Sequence, residues 1–223
     1  MHHKKFQPEG SVSMFYEPKD GHGLSKNPFN SLVVPRPIGW ISSVDHDGNV
    51  NLAPYSFFNA VSYRPPTVMF SAGHGQMEDD GRKDSLRNII ETGEFVHSVC
   101  TWDTREAMNE SSATTAKDVD EFVLTDLTPL SSKLVKPPRV KESPVHFECK
   151  LIQTIELPGP SAEDKYTVVF GEVIGIHIAD ELIRDDGQID IAKLLPVGRM
   201  GYQDYSKVTD ATVFTMNRPG LTE

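Results

Sequence analysis

Ile38-Gly39-Trp40-Ile41-Ser42-Ser43-Val44, then Asp45-His46-Asp47-Gly48, then Val50-Asn51-Leu52-Ala53-Pro54 is the stretch that decides the fold. The first segment is a short apolar run bounded by turn residues and reads as a strand. Asp-Gly tolerates positive φ, so Asp45–Gly48 closes a hairpin and Val50–Pro54 returns beside it. Downstream, Ser56–Ser62 and Thr67–Ser71 read as further strands, separated by a loop at Tyr63-Arg64-Pro65-Pro66. A helix is signalled next: Asp84 as N-cap, Leu86, Ile89 and Ile90 as apolar stripe, and Gly93 as stop. Glu94–Thr101 reads as a strand and Thr104–Ser112 as a short helix. Residues 113–144 read as loop, with four prolines, and His146–Leu157 and Tyr166–Asp180 as two long strands of a hairpin. Many strands, few helices and no strand–helix–strand alternation predict a mainly β protein, a β-barrel with flanking helices.

Composition narrows the function. Lys plus Arg is 22 and Asp plus Glu is 32 in 223 residues, a net charge of −10. That balance argues against a nucleic-acid or anionic-membrane surface, which needs clustered positive charge. An anionic ligand requires a local positive pocket. No apolar run nears the roughly 20 residues that cross a bilayer, and the first thirty residues hold no signal-peptide apolar stretch. The expected location is cytoplasmic. Cys100 and Cys149 lie in apolar strand-like runs and read as core thiols. The expected organisation is an irregular segment over 1–32, a main domain over 33–205 and a tail over 206–223.

Familiar catalytic signatures are missing: there is no HExxH, CxxC, GxGxxG, P-loop or Gly-x-Ser-x-Gly. Chemistry borrowed from an organic cofactor is the natural alternative. Two stretches suit a planar, phosphorylated cofactor. In the first, Ser42, Asn51, Ser56 and Asn59 alternate with large apolar groups, giving one polar and one apolar wall; an ordinary amphipathic hairpin is the competing reading. In the second, Arg82, Lys83, Asp84 and Ser85 open a helix whose N-terminal N–H groups and dipole attract phosphate. There a solvated charged cap is the competing reading, and Asp84 opposes an anion unless it faces away. His146 and His177 read as hydrogen-bonded or half-exposed strand histidines, and Asp118–Glu121 as a solvated turn.

Taken together, these stretches resemble the flavin reductase-like, FMN-binding split-barrel family, which includes flavoredoxins and reductase components of two-component monooxygenases. The resemblance rests on Val34–Ser43, Asn51–Ser62, Pro65–Ser71, Lys83–Ile89, Glu94–Val96, Lys136–Val140, Phe170–Val173 and Pro196–Gly201. It implies a six-stranded Greek-key split barrel, a homodimer, and FMN in a groove near the interface. It implies that Ser42, Ser43 and the segment Asn51, Ala53, Pro54, Tyr55 and Ser56 line the flavin ring and ribityl chain, with Asn59 close by. Lys83, Asp84 and Ser85 would serve the phosphate, Arg36 and Trp40 would flank the cofactor, and Arg199 would approach from the C-terminal side. Gly39 would keep its backbone close to the ligand. The implied chemistry is hydride transfer from NADH or NADPH to the flavin, with no general acid or base nominated and a monooxygenase as a partner. The acidic insert Gln76–Gly81 tilts the expectation towards NADH.

Overall fold

A computed structural model of the chain describes residues 13–73, 81–114, 119–161 and 164–220. Seven strands form the main sheet: β1 Gly39–Val44, β2 Val50–Tyr55, β3 Phe58–Tyr63, β4 Pro66–Gly73, β5 Glu94–Val99, β6 Val145–Leu157 and β7 Tyr166–Ile178. All are antiparallel, in the order β2-β1-β5-β6-β7-β4-β3. The connection from β4 to β5 passes three positions across the sheet and carries the helix α1, Asp84–Thr92. That crossover is the Greek-key element. The sheet has seven strands where the resemblance implied six, and the edge strand Phe58–Tyr63 is the one read from the sequence at Ser56–Ser62.

The two edges of this sheet are consecutive in sequence. Only Ser56 and Phe57 separate β2 from β3, and three residue steps reach at most roughly 11 Å. A flat seven-stranded sheet would hold those edges about 29 Å apart. The sheet must therefore curl until its edges approach, which makes it a barrel that is split between β2 and β3. Gly39 sits at the contact between the two edges: a Cβ there would lie 2.5 Å from the Phe58 ring of β3. The glycine makes room for Phe58.

The hairpin that decides the fold forms as read. Val44 faces Val50 and Gly39 faces Tyr55 across β1 and β2. The Asp45 carboxylate accepts the N–H groups of Asp47 and Asn49 and the Asn49 amide at 2.8–2.9 Å, which fixes the turn. Side chains on β1 and β2 then alternate between two cores. The inner core holds Ile41, Tyr55, Phe70, Phe95 and Val169, closed by Leu86 and Ile89 of α1. The outer core holds Trp40, Leu52, Cys100, Met108, Phe122 and Val140. The outer layer is built by helix Arg105–Glu110 and by Glu121–Leu124, a short helix in the stretch expected to be loop. Asp120 caps that helix by accepting the Phe122 N–H, and Glu121 is buried, its carboxylate taking the Leu52 N–H at 2.9 Å. The expected solvated turn is thus an anchor on the edge strand β2. Both cysteines are buried and unpaired, as expected.

A smaller three-stranded sheet joins Arg36–Pro37, Val197–Arg199 and Tyr205–Lys207, pairing Arg36 with Arg199. Among the described residues no helix is long and apolar enough to cross a membrane.

Candidate flavin site

Helix α1 starts against the hairpin. Its N-cap is Lys83, one residue before the predicted Asp84, and no side chain caps it. No N-cap side chain therefore competes with an approaching ligand for the first-turn N–H groups. Asp84, which threatened to oppose an anion, turns along the helix and pairs with Arg87 at 2.7 Å. Gly93, in the left-handed conformation at φ 73°, ends the helix with its N–H on the Ile89 carbonyl.

Behind that helix start, polar side chains fasten α1 to β1 and β2. The Asn51 amide donates to Ser85 Oγ at 2.6 Å, and the Asn88 amide donates to Ser43 Oγ at 3.2 Å. The buried Tyr55 hydroxyl lies beside Ser85, and desolvation pushes its pKa to about 12, so it stays protonated. Lys83 Nζ stands 5.8 Å from the centre of the Tyr55 ring. Asn88 was missed in the sequence because Ile90 looked like the apolar continuation. Ile90 is exposed, and the buried face runs through Ser85, Leu86, Asn88 and Ile89. A polar residue three positions after Ser85 was the available signal.

The structure divides the residues expected to bind the cofactor. Asn51, Ala53, Pro54, Ser56, Asn59, Lys83 and Asp84 keep accessible surface along β2, the turn into β3 and the start of α1. Trp40 does not: it is fully buried in the outer core, and its indole N–H bonds Ser111 Oγ at 3.0 Å. It packs the barrel wall as part of the outer core. Ser42 pairs with Leu52 and Asn51 with Ser43 across the hairpin, which puts Ser42 and Asn51 on opposite faces, so the single polar wall expected of Ser42, Asn51, Ser56 and Asn59 does not form. Ser42 donates to the Pro138 carbonyl on the outer face, while Ser43 is sealed against Asn88. Tyr55 and Ser85 are likewise buried and act from beneath the site.

Arg36 and Arg199 lie at the other end of β2, where the small sheet meets the barrel. Arg36 is buried, and its guanidinium donates to the carbonyls of Asn30, Val33 and Met200 and to Ser56 Oγ. Burial, followed by the charge of Arg199, lowers its pKa from the ordinary value. Arg36 clamps the segment before β1 against the C-terminal region and also holds Ser56. Arg199 bonds the Tyr205 hydroxyl and the Tyr202 carbonyl. Arg36 reaches the accessible group through Ser56, just past the end of β2, where its Nε lies 3.4 Å from Ser56 Oγ. The insert expected to tune nucleotide access, Gln76–Gly81, falls almost wholly outside the described residues. Among the described residues no cluster of His, Cys, Asp or Glu suits a metal ion.

A split, curled Greek-key sheet with an uncapped helix start beside an amide-rich hairpin defines an FMN-type split barrel. Comparison with known proteins agrees: residues 31–195 match the model of the flavin reductase like domain. The chain is 39% identical over 176 residues to an uncharacterized protein of Aquifex aeolicus, spanning 79% of this chain and 86% of the other. Nitrilotriacetate monooxygenase component B from Bacillus cereus superposes with TM-score 0.81 at 30% identity, covering 92% of this chain and all of that one. The 2-nitrobenzoate 2-nitroreductase NbaA of Pseudomonas fluorescens superposes with TM-score 0.73 at 28% identity, covering 87% and 91%. The protein belongs to the flavin reductase-like family.

Proposed function

We propose that the protein binds FMN and reduces it with a nicotinamide nucleotide, acting as an NAD(P)H-dependent flavin reductase. The observation that carries this reading is the start of α1, where Asp84 is turned onto Arg87, no side chain caps the helix, and Lys83 adds a cation. These donors fit a phosphate. Asn51, Ala53, Pro54, Ser56 and Asn59, accessible on β2 and the following turn, offer the mixed polar and apolar surface a flat ring system needs. Bound FMN supplies the hydride-accepting chemistry. The chain's own part is to hold the phosphate, orient the ring and leave one face open to the nicotinamide. No proton-transfer residue is required of it. The acidic Glu78, Asp79 and Asp80 near the helix start in sequence favour NADH over NADPH.

A second copy completes the assembly in this proposal. Tyr63 is 89% exposed on the edge strand β3, with Val61, Ile152, Ile155 and Leu157 exposed on β3 and β6. An edge strand carrying apolar side chains is a surface that proteins normally cover. Delivery of reduced flavin to a separate monooxygenase is supported by the likeness to a monooxygenase component B. The test is anaerobic addition of NADH to protein reconstituted with FMN. Bleaching of the flavin absorption bands, with continued NADH oxidation on excess free FMN, supports a reductase; bands that persist with both nucleotides overturn it.

A second reading keeps FMN as a tight cofactor serving another acceptor, either as an electron carrier or in reduction of a small substrate. The likeness to a nitroreductase favours it. FMN that survives gel filtration, with NADH oxidation that free FMN does not accelerate, selects this reading.

A further inference from the structure

A cleft of about 540 Å³ opens at the far end of the β6–β7 hairpin, under the loop 130–144, and shares no residue with the flavin site. We propose that this cleft is a second ligand site, and that it takes a phosphorylated, partly apolar anion of mononucleotide size.

Three cations converge on it, Lys133, Arg139 and Lys141. Two carboxylates also line it, Glu142 and Glu181. Glu142 is drawn towards its own loop, where it accepts the Thr128 N–H at 3.0 and 3.2 Å. The cleft therefore keeps a positive balance in a chain of net charge −10. Arg139 is oriented in advance: its Nε and Nη2 donate to the Ser131 carbonyl at 3.3 and 2.9 Å. Several donors around one opening suit the many oxygens of a phosphate better than a single carboxylate.

The loop that carries these cations is braced from below. Glu148 is fully buried, and its carboxylate accepts the N–H groups of Lys133, Leu134 and Val135 at 2.6–3.2 Å. The same carboxylate pairs with His177 at 2.5 Å. A buried carboxylate spent on holding a surface loop pre-organises whatever that loop presents. Ile176, Ile178 and Leu130 also line the cleft, the first 55% exposed and the last paired with Arg139 in a two-residue ladder. They give a wall against which an apolar ring can lie. A cleft of this volume is within the roughly 300–1,000 Å³ of small-molecule sites.

The experiment is calorimetric titration of ADP into the protein, with and without saturating FMN, so that it does not depend on the flavin reading. The expected result is one ADP per chain in both cases. In the double variant Lys133→Glu, Lys141→Glu the affinity falls at least about tenfold, while FMN affinity is unchanged. Both lysines are exposed, so the variant folds. Adenosine and pyrophosphate, each carrying half of the recognised chemistry, bind more weakly than ADP. The proposal is overturned if ADP releases no heat, if the double variant binds it as well as wild type, or if ADP displaces FMN. It is also overturned if the double variant changes sedimentation without ADP, which would make the cleft an interface between copies.

Discussion

Asn51 on β2 donates to Ser85 in the first turn of α1 at 2.6 Å, tying the helix start to the hairpin whose surface is proposed to receive the flavin. Asn88 repeats the tie one turn later through Ser43. The rigid element of the proposed site is thus a helix N-terminus bolted to a strand pair, whose main-chain N–H groups no rotamer change can move. The double-mutant cycle of Asn51→Ala and Ser85→Ala tests the tie. Each single change is expected to cost about 1–2 kcal/mol of stability, because it leaves a half-buried or buried polar partner unmet. A coupling of about 1 kcal/mol should appear in urea unfolding; additive losses would show that the bond contributes nothing.

Lys83 and Trp40 separate the accessible part of the proposed site from the buried part. Lys83→Glu puts a negative charge at an uncapped helix start, where a phosphate is proposed to sit. A charge-assisted contact contributes about 1.5–3 kcal/mol, so FMN affinity should fall about tenfold to a hundredfold in fluorescence titration. Riboflavin, which lacks the phosphate, should bind the variant and the wild type alike. Equal losses for both would move the phosphate away from α1. Trp40→Phe, in contrast, removes the Ser111 bond and part of the outer core. It should lower the unfolding midpoint and leave FMN affinity within about twofold, a change of under 0.5 kcal/mol.

Much of this architecture was legible in the chain. The hairpin at Asp45–Gly48, the long β6–β7 pair and the helix ending at Gly93 announce themselves through turn chemistry and runs of apolar residues, which are local. What was not legible is which face each residue serves. Ser42 and Ser43 are adjacent hydroxyls in sequence, but a strand sends them to opposite cores, and both cores are buried. Trp40 looked like a wall for a flat ring because nothing local shows that the helix Arg105–Glu110 covers it. Arg36 was expected only to flank the cofactor, because its carbonyl partners at Asn30, Val33 and Met200 come from segments brought together only by the fold. Glu121 and Glu148 were missed for the same reason. A buried carboxylate that takes backbone N–H groups from a distant segment leaves no periodic trace.

Gly39 and Phe58 test the closure of the barrel. A Cβ at Gly39 would sit 2.5 Å from the Phe58 ring, so Gly39→Ala must displace a ring that also stacks on His97 at 4.4 Å. Overpacking of this kind costs about 1–3 kcal/mol. Shortening the obstacle should restore part of the loss: Gly39→Ala with Phe58→Leu is expected to be more stable than the two separate effects summed. Strict additivity in thermal unfolding would show that the edges of the sheet are not held together at this contact.

Acid should unfold the protein through its interior histidines. His97 lies in the inner core against Phe58 and Phe147, and desolvation, with a smaller contribution from His146, holds its pKa to about 3. Desolvation likewise lowers His146 to about 4, against a partial offset from the Val140 carbonyl at 2.8 Å. Both values lie below the 6.5 of an unfolded histidine, so the unfolded chain takes up protons that the folded chain refuses. Stability from these groups is complete above about pH 6.5 and falls as the pH drops towards 4 and 3. Each contributes a slope of up to about 1.4 kcal/mol per pH unit in that window. Glu148 adds to the loss further down. Burial pushes its pKa up, but the N–H donors of Lys133 and Leu134 and the pairing with His177 outweigh it and leave it lowered. His97→Phe removes one of the two histidine slopes without opening a cavity in the aromatic cluster. Urea unfolding of wild type and variant at pH 7 and pH 5 should therefore show a smaller drop in the variant; equal drops would place the acid-sensitive groups elsewhere.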